Sequence, residues 1–259
     1  MEINATNVRK TYGDVTALDG LSVSIPDGST FGILGTNGAG KTTLFKLLIG
    51  HDRPDEGTIT VGGESVTDAG RRIREHVSYL PEHIGFPASL TGREVLAFHA
   101  RVRGLSADGR TADAIDRVGL SPEAADRPVS GYSNGMKRRL GLAAVLLAEP
   151  SVLILDEPTA GLDPRGVTEF HQIVERIGAE TEATIVFCSH VLSEVERLCD
   201  QIAILHEGTV RASGPVAELV GDSVEFDDGT IERSGLDAAF HEAVGGSPDE
   251  RNELAEVPS

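Results

Sequence analysis

Apolar positions along the chain fall into two rhythms. Near the start Ile3 and Val8, then Leu21, Val23 and Ile25, stand among polar neighbours at the spacing of half-buried strands. Thr30–Leu34 is a short apolar run that ends on Gly35. Lys41–Gly50 then carries apolar residues at helical spacing and closes on a glycine. Residues 57–62 predict a strand between glycines. Leu90 to about Leu120 predicts helix, with Leu96, Phe98, Ala100 and Val102 in a mostly helix-forming stretch, and Met136–Leu147 predicts another. Ser151–Leu155, Thr184–Cys188 and Gln201–Leu205 are largely apolar runs of strand length, and Arg165–Gly178 reads as a helix. Strands alternating with helices of this length imply an α/β fold built on a parallel sheet.

The pattern changes near Gly221. Val224–Glu232 alternates around Asp228-Gly229, a hairpin signal, and the last dozen or so residues read as disordered. The expected organisation is therefore a main domain over 1–220 and an acidic extension over 221–259, a hairpin followed by a disordered tail. No stretch approaches ~18 uninterrupted apolar residues, so no membrane-spanning helix is expected. The opening MEINATNVRKTYG carries charge early and has no apolar run, so no secretory signal is expected.

Composition adds one unusual feature. The chain has 41 acidic and 23 basic residues among 259, a net charge of −18, and only four of the basic residues are lysines: Lys10, Lys41, Lys46 and Lys137. Residues 221–259 hold 11 acidic and 2 basic residues, so half of the net charge lies there. An acidic, lysine-poor chain rich in Ala, Gly and Asp resembles proteins of salt-loving organisms, where salt screens self-repulsion. Such a surface argues against nucleic-acid phosphates as a main partner. Cys188 and Cys199 lack metal-ligand spacing and fit a reducing compartment.

Candidate chemistry begins at Gly35-Thr36-Asn37-Gly38-Ala39-Gly40-Lys41-Thr42, followed by Thr43, which fits G-x-x-x-x-G-K-[ST]. Glycines let backbone N–H groups wrap phosphates without side-chain clashes. Lys41 can reach the β- and γ-phosphates, and the Thr42 hydroxyl can ligate Mg²⁺. The helix that begins at Lys41 points its positive end at the same anion. An apolar strand before the loop and an apolar helix after it supply the right context. Further on, Val152–Leu155 runs into Asp156-Glu157. Asp156 at such a strand end would hold Mg²⁺, directly or through water, and Glu157 could accept a proton from an attacking water. Alone, that pair is equally a strand followed by a polar turn, with Pro158 next.

Tyr132-Ser133-Asn134-Gly135-Met136-Lys137-Arg138-Arg139-Leu140, just before Asp156, strongly resembles the signature motif of ATP-binding-cassette (ABC) ATPases. The span of about 2–219 resembles one such cassette, with motifs in the family's order and spacing. The resemblance implies a P-loop NTPase fold: a RecA-like parallel-sheet core, an antiparallel β subdomain and a helical subdomain at about 88–140. It implies that Tyr12 stacks on adenine, although alone Tyr12 is simply a strand-edge aromatic. It implies that Ser133 and Gly135 contact the γ-phosphate of ATP held by a partner subunit, that Asp163 lies in a loop crossing between subunits, and that His190 is the switch histidine. Asn134 departs from the commoner Gly, tolerable if the position is left-handed, since Asn also adopts that conformation. Glu82, in Tyr79-Leu80-Pro81-Glu82, stands where the family has Gln. A carboxylate can still ligate Mg²⁺ there, and the alternative is a surface turn residue.

The resemblance also implies partners. Two cassettes, as a homodimer, would close head to tail around two ATP molecules, with Glu157 activating water and His190 orienting it. The segment near Glu82 and the helices at 90–130 would dock on a separate integral-membrane permease, placing the chain peripherally on the cytoplasmic face of the membrane. The segments Tyr79–Glu82, Tyr132–Leu140 and 157–164 resemble the exporter branch with separate permeases. Leu80–Leu96 and Phe187–Leu192 resemble the ATP-binding subunit of a copper-processing system that matures nitrous oxide reductase. The rival classes are a non-transport cassette ATPase acting on a soluble macromolecular complex and a P-loop kinase or other NTPase. The latter would lack the signature segment and Asp163.

Overall fold

The computed structural model describes residues 1–107, 109–220, 224–225, 231–232 and 235–245. Two long strands open the chain, β1 (Ile3–Tyr12) and β2 (Val15–Ile25), paired antiparallel. Their inward residues Ile3, Val8, Leu21 and Ile25 are buried, as the alternation predicts. β3 (Thr30–Gly35) leads through a tight loop into α1 (Lys41–Leu48). β4 (Glu56–Val61) and β5 (Glu64–Ser65) return to the first sheet, whose order is β2-β1-β4-β5. α2 (Gly70–His76) and β6 (Val77–Leu80) follow.

A helical layer comes next: α3 (Gly92–Val102), α4 (Arg110–Arg117), α5 (Pro122–Ala125), a 3-10 turn at Val129–Gly131 and α6 (Asn134–Leu146). The single helix expected from Leu90 to about Leu120 is therefore two. The backbone turns at Gly104, φ 71°, a left-handed position that ends α3, and Gly109 opens α4. Thr91 caps α3 in a reciprocal capping box with Glu94.

The rest alternates strand and helix: β7 (Val152–Asp156), α7 (Pro164–Glu180), β8 (Thr184–Cys188), α8 (Leu192–Leu198), β9 (Gln201–His206), β10 (Thr209–Pro215) and α9 (Val216–Val220). The second sheet runs β10-β9-β3-β8-β7-β6, parallel throughout except at the β9–β10 edge. β7 and β8 are buried at every position, as strands covered on both faces must be. One apolar core lies between this sheet and the layer of α3, α4, α6 and α7. A second lies between the two sheets around α1, with Phe31, Phe45 and Leu44 fully enclosed.

The hairpin expected at 224–232 is present as β11 (Val224–Glu225) paired antiparallel with β12 (Ile231–Glu232), while its turn around Asp228-Gly229 lies outside the described residues. So do the last dozen residues. Between them stands α10 (Leu236–Val244), a helix absent from the sequence expectation. Leu236 is fully buried, Phe240 and Val244 pack against the main core, and the Leu236 N–H donates to Glu196 on α8. Its apolar face was masked by the acidic composition around it.

Candidate functional site

Four consecutive strands of the parallel sheet, β3, β8, β7 and β6, end on the same edge. The loops that leave them carry Thr36–Gly40, Ser189-His190, Glu157 and Pro81-Glu82. Residues more than a hundred positions apart thus share one rim, at the carboxyl ends where open α/β sheets bind ligands.

The loop after β3 is shaped by its glycines. Gly38 and Gly40 have φ of 84° and 104°, and a Cβ on Gly40 would lie 2.6 Å from the Ala17 carbonyl oxygen. The Ala39 N–H closes the turn on Thr36 O at 3.1 Å, and the Gly208 N–H ties Ala39 O to the β9–β10 turn. No side chain caps the first turn of α1, so its leading N–H groups face outward beside the exposed Thr36, Asn37, Gly38 and Thr42. The Lys41 ammonium folds over this loop onto Gly35 O and Thr36 O. An anion cradle of backbone amides, one ammonium and two threonine hydroxyls (Thr42 and Thr43) results.

Tyr12 stands on the flank of the cradle beside Thr43. Its ring is 44% exposed, open to a planar group, and its hydroxyl donates to Asp52 Oδ2 at 2.7 Å. Lys10 sits 5.3 Å from the ring centroid and bonds Asp52 and Asp55. The Tyr12 hydroxyl, ahead of the Arg53 amide and Lys10, holds the Asp52 carboxyl down at about 2. Burial and Asp52 together push the Tyr12 phenol up.

Asp156 ends β7 almost wholly buried and accepts the Tyr79 hydroxyl at 2.8 Å. Burial is the chief cause that raises its carboxyl, and the ammonium of Lys41 acts in the opposite sense. The Asp156 carboxylate and Thr42 hydroxyl are hard oxygen donors of the kind Mg²⁺ takes, and a cation there would offset the burial of the charge. Among the described residues no group of three or more His, Cys, Asp or Glu is set to hold a metal. Glu82 is half-exposed, with its nearest partner His83 at 3.8 Å. Its negative charge is felt at Asp156, but no hydrogen bond joins it to Asp156 or Thr42 among the described residues.

Glu157 takes the left-handed conformation, φ 43°, which is uncommon for a residue with a side chain. Its N–H donates to Cys188 O at 3.0 Å. The turn brings its carboxylate 2.7 Å from His190 Nδ1, so the expected base and the expected switch histidine are in direct contact. Glu157 is mostly enclosed while His190 is 69% exposed.

Behind this pair lies a polar network the sequence reading did not find. Glu194, on α8, is buried and accepts the hydroxyls of Thr159 at 2.7 Å and Ser189 at 2.8 Å. Its other oxygen lies 3.5 Å from Nε2 of buried His171 on α7. Burial alone would raise the Glu194 carboxyl, yet His171, Thr159 and Ser189 hold it below its ordinary value. The only sequence signal was an acid in the first turn of the helix after His190.

The signature segment lies elsewhere. Ser133 caps α6 by accepting Met136 N–H, Asn134 Nδ2 reaches Gly161 O at 3.5 Å, and Gly135 approaches Leu162. Asp163 caps α7 through Gly166 N–H at 2.6 Å. Among the described residues no hydrogen bond joins Ser133, Gly135 or Asp163 to 35–43. One expectation is corrected. Asn134 is the first residue of α6 and is not left-handed, so the position tolerates Asn because it is helical, not because Asn reaches positive φ.

Residues 18–160 match the family described as ABC transporter. The chain is 37% identical over 244 residues to the bacitracin transport ATP-binding protein BcrA of Enterococcus faecalis, covering 92% of this chain and 79% of that protein. It is 35% identical over 249 residues to the linearmycin resistance ATP-binding protein LnrL of Bacillus subtilis (strain 168), covering 93% and 78%. A solved ATP-binding subunit of an ABC transporter superposes with a TM-score of 0.78 at 26% identity, covering 94% of this chain and 99% of that one.

Proposed function

This chain belongs to the ABC transporter family as an ATP-binding, ATP-hydrolysing subunit, and we propose that it drives a separate membrane permease in export, working as a homodimer. The observation that carries the catalytic part is the Glu157–His190 contact, set on the same rim as the anion cradle. In this reading the cradle of 35–43 holds the β- and γ-phosphates, Tyr12 stacks on adenine, and Lys41 neutralises phosphate charge. The Glu157 carboxylate takes the proton from the attacking water, and His190 orients that water and the γ-phosphate. Mg²⁺, held by Thr42 and Asp156 with Glu82 nearby, would draw electron density from the phosphates.

The site is open above the cradle, and Ser133–Gly135 form a helix N-terminus with a hydroxyl and little side-chain bulk. A second copy would place that terminus against the γ-phosphate, with Asp163 beside it, so that ATP joins the two subunits and hydrolysis releases them. The permease would sit against the Glu82–Leu90 segment and α3, where Phe98 and Val102 expose 53% and 69% of their surface. Among the described residues no helix is long and apolar enough to cross a membrane, so the membrane part falls to that partner and the chain binds the cytoplasmic face peripherally. In this organisation 1–220 is the working cassette, helical at about 88–140, and 221–259 an acidic extension whose helix α10 docks on the main core. Bacitracin transport and linearmycin resistance in the relatives favour an exporter. The likeness of Leu80–Leu96 and Phe187–Leu192 to a copper-processing ATP-binding subunit supports the narrower reading, and a co-purifying permease identifies the cargo. The net charge of −18 supports no nucleic-acid partner and a high-salt cytosol.

Glu157→Gln tests the mechanism. It keeps the side chain's length and can still meet His190, but it removes the base. ATP should bind as in the wild type while phosphate release falls about 10²–10⁴-fold, the contribution of general base catalysis. Turnover within threefold of wild type would reject Glu157 as the base.

A further inference from the structure

Arg138 lies in α6, one residue before the partly exposed Arg139, yet it is 94% buried. A long cation is rarely enclosed without a reason. Among the described residues its guanidinium forms no ion pair with a carboxylate. Nη1 donates to Pro81 O and Nη2 to Glu157 O, both at 2.9 Å. Those carbonyls belong to the residues that immediately follow β6 and β7, neighbouring strands whose ladder ends at Leu80–Leu155. One planar fork therefore continues the pairing of the two strand ends past their last register, a geometry to which the rigid, planar donors of a guanidinium are suited.

The two carbonyls are not equivalent to any others. Glu157 holds a left-handed backbone that costs of order 1 kcal/mol or more unless its surroundings enforce it. Cys188 O anchors its N–H, and Arg138 anchors its carbonyl from the opposite side. Together they aim the carboxylate at His190. Pro81 immediately precedes Glu82 and the segment assigned above to the permease. That segment is seated on α6 as well. Gly141, one turn after Arg138 on the same face, lies close under that segment: a Cβ there would come 2.5 Å from Ile84 Cδ1 and 3.0 Å from Leu80 Cδ1, so those side-chain ends would have to shift. The charges of Glu82, Asp156 and Glu157 surround the guanidinium and offset its burial in part.

We propose that Arg138 is a positioning residue for the catalytic carboxylate: it locks the left-handed turn at Glu157 to the backbone of Pro81, so that movement of the Pro81–Leu90 segment is felt at the base. This rests on the assignment of Glu157 given above. The same guanidinium springs from the helix that Ser133 caps, so a shift of α6 on dimer closure would reach Glu157 in its own subunit through a single side chain.

The test is a comparison of Arg138→Met, which keeps the stem and loses both donors, with Arg138→Lys, which can reach one carbonyl. Steady-state phosphate release and nucleotide-induced thermal shifts are measured on the full chain with ATP and Mg²⁺. Arg138→Met should lower kcat tenfold or more with KM for ATP within threefold, and Arg138→Lys should recover part of kcat. Arg138→Gln, also able to reach only one carbonyl, carries the same test if Arg138→Met does not fold. Wild-type kcat in Arg138→Met overturns the proposal. So does a parallel loss of kcat, KM and nucleotide-induced stabilisation with no recovery in Arg138→Lys, which marks an ordinary packing role. Glu157→Gln measured alongside separates the two readings. If it turns over like wild type the base assignment fails. If it is inactive while Arg138→Met is unimpaired, only the positioning role fails.

Discussion

Glu194→Ala is the sharpest probe of what holds the switch loop in place. Glu194 accepts two hydroxyls, Thr159 from the turn after Glu157 and Ser189 from the residue before His190, and faces His171. Truncation removes the acceptor for both hydroxyls and leaves three buried polar groups facing a cavity. Hydrogen bonds to a charged group contribute about 1.5–3 kcal/mol each. The burial of the charge is relieved at the same time, so the sum is not the net. Leaving a buried polar group without its partner costs about 1–3 kcal/mol, and with the Thr159 and Ser189 hydroxyls both orphaned we take about 2–4 kcal/mol. For a chain of this length that is a fall in Tm of about 10 °C. Glu194→Gln keeps an acceptor oxygen and the volume, and should lose less than half as much. The pH dependence has a definite sign. The folded carboxyl is held below its ordinary value of 4.5, so its stabilisation is complete above that pH and is lost as pH falls through the depressed value. The gap between wild type and Glu194→Ala should therefore narrow in acid below about pH 4. Calorimetric melting of nucleotide-free protein at pH 7 and at about pH 3 reads both effects. A change in Tm under 2 °C at pH 7 would refute the claim that this network secures the loop. Because Ser189 adjoins His190, kcat should also drop about tenfold, one unit of about 1.4 kcal/mol in the barrier.

Two further outcomes follow from charge. Asp156→Asn should raise the Tm of the nucleotide-free protein by about 2–4 °C, since it deletes a carboxylate whose ionised form burial disfavours while its amide oxygen can still accept the Tyr79 hydroxyl. The same change should cut Mg²⁺-dependent turnover at least 100-fold, and a lower Tm in a melting scan would contradict the burial argument. Raising KCl from 0.1 M to 2 M should increase both Tm and ATP turnover, because screening relieves a net charge of −18; a monotonic loss over that range would count against adaptation to high salt.

What was legible in the sequence shares one property: its structural cause is local. Gly38 and Gly40 announce the phosphate loop because their backbone angles exclude other residues. Val152–Leu155 announces a doubly covered strand because every position is apolar, and Asp156 marks its end. The order of these segments, matched to a family, singled out Tyr12, Glu157 and His190, and the structure places Glu157 and His190 in contact while Tyr12 stands on the neighbouring sheet. What was not legible is long-range pairing between a side chain and a backbone or hydroxyl. Glu194, His171 and Arg138 look like ordinary polar residues on helices until the sheet order brings them under the rim that carries Glu157 and His190. Helix α10 was hidden for a different reason, since its short apolar stretch is flanked by acidic sequence, and the docking of Leu236 reveals it. The same division explains the Asn134 correction. Its residue type is compatible with both a left-handed turn and a helix start, and the choice is made by Ser133, whose hydroxyl caps α6 and makes Asn134 its first residue. Local chemistry thus marks out the candidate reacting groups, whereas the buried residues behind them specify how those groups are aimed, and the proposed coupling between the Pro81–Leu90 segment and Glu157 belongs to that second layer.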